Sequence, residues 1–371
     1  MNLLQFGQVR LVSGNLSHPH SVPFTSKSAM PTNSTPPLVT ALRKKDAYLD
    51  FVSKIRFQET VSSYLFKAGD HFYKIKKADS EHTSLAVKQA FCQEEAKLLH
   101  RLNGEELQAE VLPVYQNGKS FSYKNEAGAT AVDYALKTTA LSERNLVSHL
   151  LDQKKLSLIA VGRIARKLAQ AHSDFPVNDK TAHERGRADV LRSLCEDMLY
   201  QMKRHLDESF TQPIRDMIRH PLDKFFDEQN RLFQRRIRKH RIVEGHGALL
   251  PEHIHVKGQT VIFLSPQEAQ KKYAILDAAN DVATFSVELL RQQEEELNSS
   301  FLDRYLRSSR DRTDMKPLLP VYQMYAALRL GVTNCEMRTA MTWSEEEREA
   351  FQQKAVQYFN IAVRFARQLP H

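Results

Sequence analysis

The chain has 371 residues, of which 42% are hydrophobic and 26% charged, and its formal net charge is +9 at pH 7. This length and apolar content suffice for one large two-lobed domain or two ordinary ones. We find no apolar run near the roughly 18 residues that a transmembrane helix needs, and the amino-terminal stretch lacks the compact apolar core of a secretory signal. We therefore expect a globular cytoplasmic protein without a membrane partner.

Three cysteines lie far apart, at Cys92, Cys195 and Cys335, and no C-x-x-C pair occurs. Neither a disulfide framework nor a zinc-ribbon site is predicted, and a reducing compartment fits this usage. The positive charge would suit a polyanion such as nucleic acid, an acidic membrane face or nucleotide phosphates. Its densest cluster lies at 235–241, where an ordinary solvated helix face is the alternative to a phosphate-binding role.

The first 38 residues contain no acidic side chain and are rich in Ser, Thr, Asn and Pro. Such a composition buries too little apolar surface to offset the entropy lost on ordering. Residues 1–38 are therefore predicted to form a disordered tail. A weak targeting peptide is the alternative interpretation.

Residues 39–140 carry a strand-rich pattern. The turn at 68–70 between two β-rich runs predicts a hairpin. A helix is predicted over 84–102, because Phe91, Leu98 and Leu102 share one face. Strands are predicted over 60–66, 71–77, 111–115, 121–124 and 132–140.

Residues 141–371 are predicted to be mostly helical. Apolar side chains recur at three- and four-residue steps from Leu158 to His172, along one face of a helix. A capping box of Ser344 and Glu347 predicts the start of the last helix. Further helices are predicted over 186–240, and short strands over 242–245 and 255–264.

Phosphoryl transfer needs a cation on the nucleotide phosphates, carboxylates that hold Mg²⁺, and a carboxylate that orients the acceptor hydroxyl. The run Y-K-I-K-K at 73–77 resembles the Y-K-x-K-K strand of the aminoglycoside-phosphotransferase-like family. Since side chains alternate along a strand, Lys74 and Lys76 share a face and Lys77 points away. Lys76 is our first choice for the phosphate-binding lysine. The alternative is a lysine-rich edge strand that opposes aggregation.

Other segments are similar to motifs of the same family and occur in the same order. They are E-T-V-S-S at 59–63, the helix F-C-Q-E-E with L and R-L at 91–102, L-D-A-A-N-D-V-A at 276–283, F-L-D-R-Y-L at 301–306 and L-P-V-Y at 319–322. The resemblance covers roughly residues 45–340. It implies an α+β, bilobal protein-kinase-like fold, with a small β-rich N-lobe over 39–140 and a larger helical C-lobe over 141–371.

The resemblance also implies roles for two acidic residues. Glu95 would be the helix carboxylate that pairs with the strand lysine and holds it over the phosphates. Asp281 would brace the catalytic loop through backbone amides, a structural role. Because the resemblance begins only after the predicted tail, Met30 is a candidate initiator beside Met1.

The catalytic loop of the family, H-G-D-L-H-x-x-N, is matched by H-G-A-L-L-P-E-H at 246–253, within a degenerate segment that extends to 264. Methyl and isobutyl groups bind no hard cation, and an imidazole is a poor substitute for an amide oxygen. Losing a general base typically costs about 10²- to 10⁴-fold in rate. His246 is retained, and the resemblance implies that it supports the loop through backbone hydrogen bonds. The resemblance places Ala248 at the catalytic Asp, Leu250 at the following His, His253 at the Mg-binding Asn and Leu264 at the second metal carboxylate.

The leading interpretation is a catalytically impaired kinase-like protein, a pseudokinase that acts as a ligand-binding or regulatory module. Its cofactor-binding residues would be Lys76, Lys74 and Glu95, with no metal site and no intact catalytic residue. ATP without Mg²⁺ is the cofactor that this interpretation allows. A nucleotide, a small molecule or a protein would be the partner.

Two other classes of function stay open. An active small-molecule phosphotransferase would use rearranged residues, namely Lys76, Glu95 and either Glu244 or Glu252. A nucleic-acid-binding protein would use the cluster at 235–241, but recognition motifs and interleaved aromatic residues are missing there. A transition-metal site at His253 and His255 is a further hypothesis, since alternate strand residues face the same way.

Overall fold

The structure is a computed structural model that describes residues 35–60, 62–77, 84–205, 211–264, 275–340 and 343–369. Most of the predicted tail, 1–34, lies outside the described residues. A first helix, α1 (Pro37–Leu42), begins inside the segment predicted as a tail. Proline is well tolerated at the first helical position, where an N–H would have no intrahelical partner, and Val39 and Leu42 are buried. The first described helix therefore begins two residues before position 39, where the N-lobe was predicted to start.

An antiparallel sheet of six strands forms the N-lobe. The strands are β1 (Ile55–Glu59), β2 (Ser63–Ala68), β3 (His71–Lys76), β4 (Ala109–Asn117), β5 (Ser120–Ser122) and β6 (Thr130–Thr139). Their order across the sheet is β1-β2-β3-β6-β4-β5. The predicted hairpin is β2–β3, which turns at Gly69 with a positive φ of 58°. β1 was not predicted, because a short edge strand with only two strongly apolar side chains gives little signal.

One long helix, α2 (Leu85–Asn103), packs on this sheet. Ser84 caps it by accepting a hydrogen bond from the Val87 amide. The helix was predicted over 84–102, so its position is confirmed to within a residue at each end. Its buried face includes Phe91, Glu95 and Leu98.

Helices make up most of the C-lobe. They are α3 (Val147–Asp152), α4 (Leu158–Asp174), α5 (Asp179–Arg185), α6 (Ala188–Met202), α7 (Gln212–Glu228), α8 (Asn230–Arg238), α9 (Ala279–Arg291), α10 (Glu295–Ser308), α11 (Arg312–Met315), α12 (Leu319–Ala340) and α13 (Glu345–Ala366). The capping box at the start of α13 is present, with Ser344 and Glu347 bonded to each other's backbone amides. No helix among the described residues is long and apolar enough to cross a bilayer.

Two short antiparallel ribbons accompany these helices. β7 (Ile242–Glu244) pairs with β10 (Ile275–Asp277), and β8 (Ile254–Lys257) pairs with β9 (Thr260–Phe263). The single strand predicted over 255–264 is therefore a hairpin, which turns at Gly258 with φ 58°. A glycine can take this left-handed conformation without steric cost, so Gly258 is a turn signal inside the segment predicted as one strand.

Apolar side chains form separate clusters in the two lobes. The larger one surrounds α9, a helix that is buried from Ala279 to Leu290. The N-lobe cluster lies under the sheet and includes Phe66 and Tyr73. The predicted α+β class, with a β-rich N-lobe and a helical C-lobe, is confirmed.

Candidate functional site

The loop that follows β7 is held by the carboxylate of Asp281. Oδ2 accepts a hydrogen bond from the backbone N–H of His246 at 2.6 Å, and Oδ1 accepts one from Gly247 at 2.8 Å. The Asp281 residue is 2% exposed, so water cannot replace these bonds. The bracing role predicted for Asp281 is confirmed.

Asp281 also contacts His172, which in turn contacts Tyr305. His172 Nε2 lies 3.2 Å from Asp281 Oδ2, and His172 Nδ1 lies 2.8 Å from the hydroxyl of Tyr305. Burial by itself would raise the pKa of the Asp281 carboxyl. The hydrogen bonds and charges of His172 and His246 outweigh burial, so the pKa is lowered from its ordinary value. An ionised carboxylate therefore anchors the loop.

A buried arginine also holds the loop of His246, through a backbone carbonyl. Arg329, which is fully buried, donates from Nη1 to the carbonyl oxygen of Gly247 at 2.8 Å and from Nη2 to Thr284 Oγ1 at 3.2 Å. Neither Arg329 nor the contact of His172 with Asp281 was predicted from the sequence. Their partners lie 82 and 109 residues away along the chain. No local pattern encodes such pairings.

Two histidines of the loop stack on one another. The rings of His246 and His253 lie 5.5 Å apart between centroids, at an interplanar angle of 27°. His246 Nε2 is 2.6 Å from the carbonyl oxygen of Leu264, and His253 Nδ1 is 2.8 Å from that of Ala248. His246 thus binds backbone, as the family resemblance implied. Burial and the neighbouring His253 lower the pKa of His246 to about 4, so its ring is neutral at pH 7.

We expect this buried imidazole to make the fold sensitive to acid. Below pH 6.5 an unfolded chain takes up a proton that His246 in the folded chain refuses until about pH 4. Stability should therefore be full above pH 6.5 and fall by roughly 3 kcal/mol as the pH drops to 4. Urea unfolding at several pH values measures this slope.

The matched variant is His246→Gln, whose amide can still donate to the Leu264 carbonyl. Its stability profile between pH 6.5 and 4 should be flatter than that of the unsubstituted chain. Parallel profiles would show that His246 titrates normally in the folded protein.

The positions that carry metal-binding groups in the resembling family are apolar or buried here. Ala248 and Leu250 are each 2% exposed. Leu264 packs against an apolar cluster between the lobes, made of Leu99, Leu107, Leu136 and Ile262. The described part of the chain contains no group of three His, Cys, Asp or Glu side chains placed to hold a metal ion.

The helix carboxylate Glu95 meets a lysine of β3, but that lysine is Lys74 and not our first choice, Lys76. Lys74 Nζ lies 2.7 and 2.9 Å from the two carboxylate oxygens of Glu95. Lys76 Nζ lies 4.3 Å from the ring centroid of Phe91. One turn of α2 separates Phe91 from Glu95, and two residues of β3 separate Lys76 from Lys74, so both steps span about 6 Å. Because Phe91 lies beside Lys76, Glu95, one helical turn further along, lies beside Lys74.

The carboxyl end of α2 is tied to the C-lobe. The side chain of Asn103 donates to the carbonyl oxygen of Phe263 and accepts from its N–H, both at 2.8 Å. Arg101 forms an ion pair with Glu244 of β7, and its guanidinium lies 4.6 Å from the ring centroid of Phe175. Glu244 is therefore already engaged, which weakens its candidacy as a substitute catalytic carboxylate.

We expect Asn103→Ala to lower the free energy of unfolding by about 2–3 kcal/mol. The substitution leaves the buried N–H and C=O of Phe263 without their partner. Chemical denaturation measures the change, with Asn117→Ala at the exposed end of β4 as the control. Equal unfolding midpoints for the two variants would contradict the role of Asn103 as a clamp between the lobes.

The basic cluster at 235–241 has two distinct parts. Arg236 is fully buried and bonds Asp277 with both Nε (2.7 Å) and Nη2 (2.6 Å), while its Nη1 bonds Asp311. Burial alone would lower the pKa of this guanidinium, but the two carboxylates raise it above its ordinary value. Arg235 and Arg238 are exposed. The cluster is thus not a simple solvated face, because Arg236 is buried in an ion-pair network.

No protein-family model matches the chain. The chain is similar to uncharacterised proteins of Mycobacterium tuberculosis and Mycobacterium bovis, with 26% identity over 176 residues, which are 47% of this chain and 35% of theirs. The chain thus matches about a third of the length of these curated relatives.

The chain is also similar to solved structures of two kinases and of a putative phosphotransferase. A putative aminoglycoside phosphotransferase of Ralstonia eutropha matches with a TM-score of 0.51 and 11% identity, over 90% of this chain and 98% of that chain. A microcompartment-associated aminopropanol kinase matches with 0.49 and 13%, over 90% and 98%. A Plasmodium vivax ethanolamine kinase matches with 0.46 and 13%, over 82% of each chain. At these identities the likeness shows the fold alone, and the predicted bilobal protein-kinase-like fold is confirmed.

Proposed function

We propose that this chain is a pseudokinase, a kinase-like protein that has lost phosphotransferase chemistry and acts as a ligand-binding or regulatory module. The observation that carries the proposal is the packing of Leu264. Where a kinase of the resembling family presents a metal carboxylate, this side chain joins the apolar cluster around Leu99 and Leu136. A carboxylate at this position would lose hydration without gaining a partner.

The neighbouring positions support the same conclusion. Ala248 has no side-chain oxygen to orient an acceptor hydroxyl. His253 Nδ1 is hydrogen-bonded to the Ala248 carbonyl oxygen. Mg²⁺ prefers oxygen ligands in near-octahedral geometry, and these residues supply none from their side chains. Without the metal, the charge that develops on the transferring phosphoryl group lacks the counter-charge that Mg²⁺ supplies in kinases.

The ion pair of Lys74 with Glu95 supports a retained ligand cleft. The Lys74 side chain is 14% exposed and that of Glu95 is 3% exposed, so the pair is largely sheltered from water. An ammonium held in this way can contact the phosphates of a nucleotide without a metal ion. ATP bound without Mg²⁺ is the cofactor that we propose for this cleft.

The second candidate is an active phosphotransferase with rearranged residues, and the intact pair of Lys74 and Glu95 favours it. It needs a replacement carboxylate near the loop. Glu244 is bonded to Arg101. The charge of Glu252 acts on Arg291 and on the buried Tyr358, both in the C-lobe. Neither glutamate is therefore a good replacement, and we favour the pseudokinase.

An ATP-consumption assay with Mg²⁺ or Mn²⁺ tests the proposal directly. We expect no metal-dependent turnover above that of a Lys74→Ala variant. In thermal-shift titrations, any stabilisation by ATP should be the same with and without the metal, and Lys74→Ala should abolish it. Lys119→Ala, at an exposed turn between β4 and β5, is the control for loss of a positive charge.

Turnover that Lys74→Ala abolishes and Lys119→Ala leaves intact would refute the proposal. It would establish the second candidate instead. A strong thermal shift that appears only with Mg²⁺ would point the same way, because it requires oxygen ligands that we have not assigned.

A further inference from the structure

A basic groove lies on the C-lobe, away from the loop of His246. Its walls come from the outer face of α8, the start of α6 and the end of α7. α8 packs through Ile237 on Ile242, at the start of β7. The walls of the groove share no residue with the loop of His246 or with the pair of Lys74 and Glu95, so the groove is distinct from the candidate ligand cleft.

Two adjoining concavities make up the groove. Their volumes are about 430 and 450 Å³, and both have Asn230 and Gln234 in their walls. The walls carry five arginines against two aspartates. The aspartates, Asp189 and Asp227, pair with Arg187 and Arg192.

Three further arginines form what we call the α8 arginine face: Arg231, Arg235 and Arg238. Their spacing of four and three residues places them on one side of the helix, and all three are exposed. Arg235 lies 3.4 Å from Asp314. Among the residues that the structure describes, Arg231 and Arg238 have no ion-pair partner. Uncompensated positive charge therefore lines the groove.

The opposite side of α8 holds this face in a fixed position. Leu232, Phe233 and Ile237 are buried there, and Arg236 is bonded to Asp277 and Asp311. A face on a rigid helix loses little conformational freedom on binding. Arginine also presents a planar fork of donors that fits carboxylate and phosphate groups.

The groove favours a carboxylate-bearing protein segment over nucleic acid. Single-stranded nucleic acid is bound by basic grooves that also offer aromatic rings for base stacking. The aromatic residue in these walls, Phe226, is only 4% exposed. Arg231 to Arg238 span about 10 Å along the helix axis, the same length over which a second helix presents acidic residues at positions i, i+4 and i+7.

We propose that the α8 arginine face binds an acidic helical segment of a partner protein, with Asp or Glu at positions i, i+4 and i+7. The proposal goes beyond the pseudokinase function and does not depend on loss of catalysis. The chain would carry the same groove if it were an active phosphotransferase.

The test is fluorescence anisotropy with a labelled helical peptide that has three Glu at this spacing. Its control is the same peptide with Gln in place of each Glu. We expect saturable binding of the Glu peptide alone, and it should weaken between about 0.05 and 0.5 M salt as the screening length shortens. The variant Arg231→Ala/Arg235→Ala/Arg238→Ala should lose roughly tenfold or more in affinity.

A second triple variant controls for net charge. Arg56→Ala/Arg166→Ala/Arg367→Ala removes three exposed arginines outside the groove and should bind the Glu peptide like the unsubstituted chain. Equal losses in the two triple variants, or no binding by the unsubstituted chain, would overturn the proposal. So would tighter binding of oligothymidylate than of the peptide, which would assign the face to nucleic acid. Thermal melts of both variants verify that they fold.

Discussion

Asp281→Ala should lower the free energy of unfolding by about 3–5 kcal/mol, more than any substitution on the surface of this protein. Asp281 accepts hydrogen bonds from the backbone of His246 and Gly247. Removing the carboxylate leaves two buried N–H groups without partners, and each costs about 1–3 kcal/mol. It also strips His172 of its acceptor. Urea unfolding, followed by circular dichroism, measures the loss.

Two further substitutions make this test specific. Asp281→Asn keeps one acceptor oxygen but turns an amide donor toward the loop, so its loss should be intermediate. Gly245→Ala leaves Asp281 in place but puts a methyl group against its Oδ2, which is too close for normal contact. It should therefore also destabilise the loop.

The control for Asp281 is Asp303→Ala. Asp303 also pairs with arginines, but it lies on the surface. Exposed pairs of this kind contribute little, so this variant should unfold at nearly the original urea concentration. Equal midpoints for Asp281→Ala and Asp303→Ala would show that the loop does not depend on the buried carboxylate.

Arg236→Met should cost a similar amount, about 3–5 kcal/mol, for a different reason. The substitution keeps most of the side-chain volume but leaves Asp277 and Asp311 buried without their cation. Breaking one side of a buried ion pair is strongly destabilising, because the remaining charge has lost its hydration. Burial already raises the pKa of Asp311. The loss should therefore be smaller in acid, where protonation of the Asp311 carboxyl removes one of the isolated charges.

A double variant separates this electrostatic effect from packing. Arg236→Met/Asp311→Asn removes one of the two isolated carboxylates and should recover part of the stability lost in Arg236→Met. Arg231→Met, on the exposed side of the same helix, should leave stability unchanged. If the double variant were less stable than Arg236→Met, packing and not charge would explain the effect of Arg236.

On our proposal, the segment 276–283 keeps residues with structural roles beside a site that has lost its chemistry. In the segment 276–283, Asp277 anchors Arg236 and Asp281 anchors the loop of His246. Both are structural roles that do not depend on catalysis. Carboxylates at the positions of Ala248 and Leu264 would have no such structural role. On our proposal, this is why the frame of the active site persists around an altered centre.

The sequence alone determined those elements that carry a strong local signal. Alternation and turn residues gave the hairpin β2–β3, three- and four-residue periodicity gave α2 and α4, and the pair Ser344 with Glu347 gave the start of α13. Each of these signals is local, since it lies within one element or one turn. The role of Asp281 was also predicted, because its motif accompanies the loop that it braces.

Only the tertiary structure decided which side chains meet. It assigned Glu95 to Lys74 rather than Lys76, because the register between a helix and a strand is set by packing and not by either sequence pattern. It also buried Arg236 while Arg235 and Arg238 of the same basic run stayed exposed. The partners of Arg236, Asp277 and Asp311, lie 41 and 75 residues away along the chain. Pairings over such distances form only when the chain folds, so neither composition nor spacing could have revealed them.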